Sequence, residues 1–274
     1  MNQAPRSHPR LNVGQALREG WQAFGRAPWL FVAFTLLLGA LQLLLQALQP
    51  EFSSERLTPP LGVDPWQDPL AVLPQLRYLT VSLALIVLTT IAGMVLNLWG
   101  ICGMVRAAWV ALGGGRPRFA TFTRWDGRAL LRLYLPGFLV GCGVCAAVAM
   151  LVLLAVVMGR LNPWLIVPPG LVMLAGAGYL SVSQSFLPQV ALLHDAHPFD
   201  ALARGRRVVD PAWPRVLELM SLTVVLLLVG LCACGVGLLV AIPLVTCVTT
   251  AAYRQLFGAE DRTGLTQALP DGPL

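Results

Sequence analysis

Histidine and aspartate side chains between residues 194 and 200 have the types and spacing of a metal site. Two histidines and a carboxylate can hold a zinc ion where their geometry converges, and His194, His197 and Asp200 could do so in a lipid-active enzyme. The same residues suit the start of a helix at Pro198, with Asp195 or His197 as its cap and Asp200 in its first turn. We favour helix initiation, and we predict no metal ligand, no catalytic residue and no cofactor.

Two cysteines have the spacing of a redox motif. Cys142 and Cys145 are separated by two residues, but they lie inside an apolar run, where a thiolate is poorly solvated. Gly137 and Gly141 nearby have the small-residue spacing that lets helices approach closely. We therefore interpret these residues as helix-packing positions, and the same holds for the other cysteines, which also lie in apolar runs: Cys102, Cys232, Cys234 and Cys247.

Polar side chains recur in two of the apolar runs. Asn97 lies in the second run, and Tyr179, Ser183 and Gln184 lie near the end of the fourth. These side chains either line a polar pocket in the inner half of a bilayer or form ordinary hydrogen bonds between helices. A pocket would suit a passive permease or transporter subunit for an uncharged or lipid-like solute.

No Asp, Glu, Lys or His occupies the middle of an apolar run, and Arg106 lies near the end of one. Ion-coupled transporters place ionisable groups within the membrane, and hydrolases need a positioned nucleophile or base. The sequence therefore predicts a protein that is not an enzyme. Our leading hypothesis is a scaffold, accessory subunit or membrane-adaptation factor, and the permease is the alternative.

The elements that carry these residues are apolar helices. Of 274 residues, 57% are hydrophobic and 12% are charged, which argues against a soluble enzyme or a nucleic-acid-binding domain. Uncharged runs of about 20 residues or more predict membrane-spanning helices. We predict an all-α helical bundle, one membrane domain over residues 1–274, with six spans at 29–48, 79–104, 135–158, 167–192, 216–232 and 237–254. A single long helix over 219–253, giving five spans, is the alternative.

The arginines predict the orientation. All 19 basic residues are arginine, and with six spans 16 of them fall on one side of the membrane. This bias places both termini in the cytoplasm of a bacterium, with the protein in its inner membrane. The proline-rich loop 49–78 is then extracytoplasmic, and the tail 258–274 is cytoplasmic.

Each outward-going span follows a basic amphipathic segment that contains tryptophan. The segments lie at 13–29, at 118–133 and at 199–213, and the N-terminal region 1–28 is predicted to be a cytoplasmic interfacial helix. We predict interfacial helices with arginines among anionic lipid headgroups; contacts with other membrane proteins are possible and nucleic acid is not a predicted partner. A triplicated ancestry is a further hypothesis. The predicted lipid contacts are Arg18, Trp21, Arg26, Arg124, Trp125, Arg128, Arg132, Arg204, Arg207 and Trp213.

Segments 16–38, 198–220 and 235–258 resemble uncharacterised bacterial polytopic membrane proteins. Those families are related to the membrane domain attached to some glycerophosphodiester phosphodiesterases. The resemblance rests on Asp200-Ala201-Leu202 before the penultimate span, and on Gly235, Gly237, Pro243 and Tyr253-Arg254 in the last one. It implies a bacterial cytoplasmic-membrane protein, and no catalytic residue is carried over from it.

Overall fold

A computed structural model of the chain describes residues 11–49, 73–193, 198–233, 235–261 and 263–264. Helices dominate these residues, and no strand occurs among them. The predicted all-α class is confirmed. In chain order the helices are α1 (Val13–Gly25), α2 (Pro28–Ala47), α3 (Leu73–Leu112), α4 (Phe119–Thr123), α5 (Gly127–Leu161), α6 (Val167–Ser183), α7 (Leu187–Leu193), α8 (Pro198–Val209), α9 (Trp213–Cys232) and α10 (Leu238–Phe257). Short 3₁₀ helices, Pro163–Ile166 and Asp210–Ala212, precede α6 and α9.

Six helical segments of the described residues are long and apolar enough to cross a membrane. Their large apolar side chains remain exposed, as Met150 (72%) and Leu174 (70%) illustrate. Water would not tolerate so much exposed apolar surface, whereas lipid does. The chain is therefore a multi-pass membrane protein. Tryptophans at span ends are also exposed, Trp29 by 83% and Trp164 by 80%, as in the aromatic belts of membrane proteins.

The chain forms two compact units. One comprises the described residues within 1–35 and 101–274, and the other comprises the described residues within 36–100. In the second unit, α2 and α3 approach closely, because a Cβ placed on Gly100 would lie 2.7 Å from Cδ1 of Leu38.

The first unit is built around the contact between α1 and α10. A Cβ placed on Gly20 would lie 2.6 Å from Cγ2 of Val248, so the two helices touch almost backbone to backbone. Ala16 and Ala23 on α1 and Ala251 on α10 are fully or almost fully buried in the first unit. The apolar face of the predicted interfacial helix α1 thus lies against protein. Its tryptophan, Trp21, stays 59% exposed.

A phenylalanine cluster joins the short helix α4 to the beginning of α2. The ring of Phe122 lies 5.0 Å from that of Phe31, edge to face, and 5.2 Å from that of Phe34. Phe31 in turn lies 5.8 Å from Phe24 at the end of α1. Such geometries are favourable for aromatic pairs, so α4 is anchored at the base of the first span.

One predicted boundary is wrong. Helix α3 begins at Leu73, so the last six residues assigned to the proline-rich loop are helical. Pro74 lies in the first turn, where its missing N–H is not needed. Residues 50–72 of that loop lie outside the described residues. At the other end α3 continues to Leu112, and its 40 residues make a helix of about 60 Å.

The amphipathic segment 118–133 and span four are each interrupted. Arg124 is extended after α4, and Asp126 caps a new helix, because its Oδ1 accepts the backbone N–H groups of Arg128 and Ala129 at 3.1 Å. Span four ends as α6 at Ser183, and α7 follows. Pro188 explains this second break, since its ring would clash with the carbonyl group of Gln184 in a continuous helix.

The hairpin between spans five and six is confirmed. Helix α9 ends at Cys232 and α10 begins at Leu238, so the five-span alternative is wrong. Gly235 has a φ of 76°, a conformation that glycine adopts without strain. A Cβ on Gly230 would lie 2.9 Å from Cβ of Ala241, which shows how closely the two helices pack after the turn.

Candidate functional site

The break after α4 creates an arginine-lined recess, which we call the loop recess. It has a volume of about 530 Å³, and its lining residues are Arg124, Trp125, Asp126, Gly127, Arg128, Arg132 and Thr263. All of them belong to the first unit. Trp125 is 63% exposed beside the guanidinium groups. The structure therefore brings four of the predicted lipid contacts to one place: Arg124, Trp125, Arg128 and Arg132.

Arg106 on α3 binds the backbone at the end of α4, beside the loop recess. Its side chain is fully buried, and its Nη1 donates to the carbonyl oxygens of Thr121 at 3.3 Å and Arg124 at 3.1 Å. Its Nε and Nη2 atoms are buried and have no hydrogen-bond partner among the described residues. A buried guanidinium is costly to desolvate, and hydrogen bonds offset part of that cost. The two bonds therefore fix the position of the loop backbone relative to α3.

A second recess, the α1–α9 recess, lies between the beginning of α1 and the segment joining α8 to α9. Its volume is about 1100 Å³, and it is lined by Leu11, Asn12, Val13, Gly14, Gln15, Arg207, Val208, Pro211, Ala212, Arg215 and Glu218. Nη1 of Arg215 donates to Oε2 of Glu218 at 3.0 Å. Both side chains of that pair are more than half exposed, so the ion pair contributes little to stability.

A third recess of about 400 Å³, the α1–α10 recess, is lined by Glu19, Gln22, Arg26, Leu112, Arg254, Gln255 and Ala259. Arg254 is held there by Trp109, whose ring centre lies 5.4 Å from the guanidinium carbon. Each of the three recesses thus borders one of the segments that precede outward-going spans, and each contains at least two arginines.

The remaining predicted lipid contacts are dispersed. Arg18 and Trp21 are exposed on α1. The side chain of Arg204 lies outside the described part of the structure. Trp213 is half-buried, and its indole nitrogen is buried with no hydrogen-bond partner among the described residues. Lipid contact by these residues remains a prediction.

The residues of the predicted polar pocket have different surroundings. Asn97 belongs to the second unit and is exposed there. The Tyr179 hydroxyl donates to Oδ1 of Asp210 and accepts from Nη2 of Arg206, both at 3.3 Å. Ser183 is buried, and its Oγ has no partner among the described residues, while Gln184 is half-buried at the end of α6. A pocket that joins these four residues remains a prediction.

Comparisons of this chain with family models, with curated proteins and with solved structures find no match. The resemblance to membrane domains of phosphodiesterase-linked families accordingly remains a prediction.

The residues first considered for metal or redox chemistry are placed only in part. His194, Asp195 and His197, and the side chain of Asp200, lie outside the described residues, although α8 does begin at Pro198 as predicted. Within the described residues no group of three or more His, Cys, Asp or Glu could hold a metal ion. Cys142 and Cys145 are exposed on the span α5.

The glycines beside that cysteine pair do not have the expected neighbour. A Cβ on Gly137 or Gly141 would meet no atom within 4 Å. No other described helix therefore packs against Gly137 or Gly141. The interpretation of these two glycines as helix-packing positions is wrong for the described residues.

Arg106 is the residue that sequence reasoning missed. The sequence places it only near the end of an apolar run, whereas its side chain is fully buried. One signal was present. Arg106 interrupts a stretch rich in small residues, including Gly103, Ala107 and Ala108, and such residues mark close helix contacts in membrane proteins.

Proposed function

We propose that this chain is a non-enzymatic protein of the bacterial cytoplasmic membrane that binds anionic lipid headgroups. In this proposal it serves as a scaffold, accessory subunit or membrane-adaptation factor. The observation that supports it best is the loop recess, where Arg124, Arg128 and Arg132 line one cavity beside the exposed Trp125.

The chemistry of the loop recess suits a lipid phosphate. Guanidinium groups present planar sets of N–H donors that match phosphate oxygens. Among the described residues that line the recess, Asp126 is the one carboxylate, and its Oδ1 already accepts two backbone N–H groups of α5. An exposed indole such as that of Trp125 favours the boundary between headgroups and acyl chains.

The proposed orientation supports the same conclusion. The recess arginines belong to the 16 that the six-span arrangement puts on one side, against Arg56, Arg77 and Arg160 on the other. Cytoplasmic leaflets carry anionic lipids that attract arginine-rich segments. Both termini are cytoplasmic in this proposal.

A matched pair of double variants tests the proposal. Native mass spectrometry of the full-length protein in mild detergent would measure binding of phosphatidylglycerol and phosphatidylcholine. Arg128→Gln/Arg132→Gln should weaken phosphatidylglycerol binding about 30-fold, because each arginine near an anionic surface contributes about 1 kcal/mol. Phosphatidylcholine binding should be unchanged.

The control is Arg77→Gln/Arg160→Gln, which removes the same charge from two exposed arginines on the opposite side. It should keep the affinity of the unaltered protein. Equal losses in both variants would show that net charge, rather than the recess, attracts the lipid, and the proposed site would be rejected.

The alternative of a passive permease is favoured by one observation, the buried Oγ of Ser183 that has no partner among the described residues. Reconstituted vesicles distinguish the two functions. Uptake of uncharged solutes by the protein, reduced by Ser183→Ala, would favour transport. Uptake equal to that of empty vesicles, with intact lipid binding, would favour the scaffold.

A further inference from the structure

The α1–α9 recess combines charges of both signs, unlike a simple anion site. Arg207 and Arg215 line it together with the carboxylate of Glu218. Oε2 of Glu218 accepts from Arg215, which leaves its Oε1 for another donor. Arg207 has no ion-pair or hydrogen-bond partner among the described residues.

The beginning of α1 adds a second set of donors. The first-turn N–H groups of Val13 and Gly14 have no acceptor within the helix, and no acidic residue occupies that turn. The positive end of the helix dipole is therefore not offset there and favours an anion.

The walls of the recess are anchored. The backbone N–H of Asn12 donates to Oε1 of Gln255 on α10 at 2.9 Å, which ties the beginning of α1 to the core. On the opposite wall Val209, Val216 and Leu219 are fully buried, so Arg207, Arg215 and Glu218 project from a fixed backbone. The recess is thus a built feature of the first unit.

We propose that this recess binds a phosphate ester that carries a protonated primary amine, the chemistry of a phosphoethanolamine group. The phosphate contacts Arg207 and the first turn of α1, and the ammonium group donates to Glu218. A purely anionic ligand would be repelled by that carboxylate. A quaternary amine is disfavoured, because such cations are recognised by aromatic faces and no aromatic residue is among the described lining residues.

The proposal extends the proposed function to a second site with a different selectivity. Full-length protein in mild detergent would be titrated with phosphatidylethanolamine, phosphatidylglycerol and phosphatidylcholine, each read by native mass spectrometry. Soluble phosphoethanolamine and inorganic phosphate, read by thermal shift, distinguish a lipid headgroup from a free phosphate ester. Stabilisation by soluble phosphoethanolamine at concentrations where inorganic phosphate has no effect would identify a water-soluble ligand. Binding of the lipid alone would identify the headgroup, and both results support the assigned chemistry.

Two substitutions separate the contribution of the Glu218 carboxylate to lipid binding from that of the Arg207 guanidinium. Glu218→Gln should weaken binding of phosphatidylethanolamine about tenfold, the worth of one charge-assisted hydrogen bond, without weakening that of phosphatidylglycerol. Arg207→Gln should weaken binding of both lipids. Glu260→Gln, at an exposed position outside the recess lining, is the control and should change neither.

Failure here is distinct from failure of the proposed function. Unchanged selectivity in Glu218→Gln would overturn the amine site, even if Arg128→Gln/Arg132→Gln still reduced binding of phosphatidylglycerol at the loop recess. Equal binding of phosphatidylethanolamine and phosphatidylcholine by the unaltered protein would also overturn it.

Discussion

Arg106 donates a hydrogen bond from Nη1 to the carbonyl oxygen of Arg124 at 3.1 Å, although its own side chain is fully buried. The bond links the C-terminal part of α3 to the loop that carries Trp125 and Asp126. A buried arginine therefore fixes the backbone of the loop that lines the loop recess.

Arg106→Ala should lower the stability of the protein by roughly 3 kcal/mol, since two hydrogen bonds from a charged donor are worth about 1.5 kcal/mol each. Thermal unfolding in mild detergent measures the change. Arg116→Ala removes an exposed arginine and should leave the melting temperature almost unchanged. An unaltered melting temperature in Arg106→Ala would mean that the relief of desolvation cancels the lost bonds.

Gly20→Ala should destabilise the first unit by about 1–3 kcal/mol, the usual cost of overpacking. The added Cβ would lie 2.7 Å from the backbone nitrogen and Cα of Val248, which cannot move away as a side chain can. Gly25→Ala on the same helix is the control, since its Cβ meets nothing within 4 Å. Comparable melting temperatures for the two variants would contradict the close contact of α1 with α10.

Gly235→Ala tests the hairpin between α9 and α10. The φ of 76° is strained for alanine and should cost about 1 kcal/mol. Gly176→Ala, in a helix and with open space around its Cβ, should be neutral or slightly stabilising. The melting temperatures of the two variants in mild detergent measure the difference. A Gly235→Ala variant as stable as Gly176→Ala would argue against the turn.

Membrane topology can be checked by reporter fusions. A reporter active only in the periplasm should stay silent after Leu274 and be active when inserted near Pro60, because an even number of spans returns the chain to the arginine-rich side. Fluorescent fusions at the same positions, active only in the cytoplasm, should give the opposite pattern. An active periplasmic reporter after Leu274 would contradict the proposed cytoplasmic location of the C-terminus.

The basic amphipathic segments that precede the outward-going spans show which features the local sequence pattern predicts correctly. The helical periods of α1 and α8 are present in the sequence, and the structure contains both helices. In contrast, the helix predicted through Arg124 is broken, because the Asp126 carboxylate accepts the first N–H groups of α5. The backbone N–H groups of Arg128 and Ala129 could be bonded either within one continuous helix or by the Asp126 side chain at the start of a new one. The spacing of apolar residues and arginines does not distinguish these two arrangements.

By itself the sequence determined the six apolar spans and the turn that divides the last two. An uncharged run of sufficient length is the local requirement for crossing hydrocarbon, and glycines next to its middle permit the turn. Tertiary structure alone decided that α1 turns its apolar face to Val248 of α10, that Arg106 is buried, and that Thr263 joins the arginines of segment 118–133 in the lining of the loop recess. These outcomes depend on which surfaces meet after the chain folds, and residues far apart in the sequence contribute the two sides of each contact.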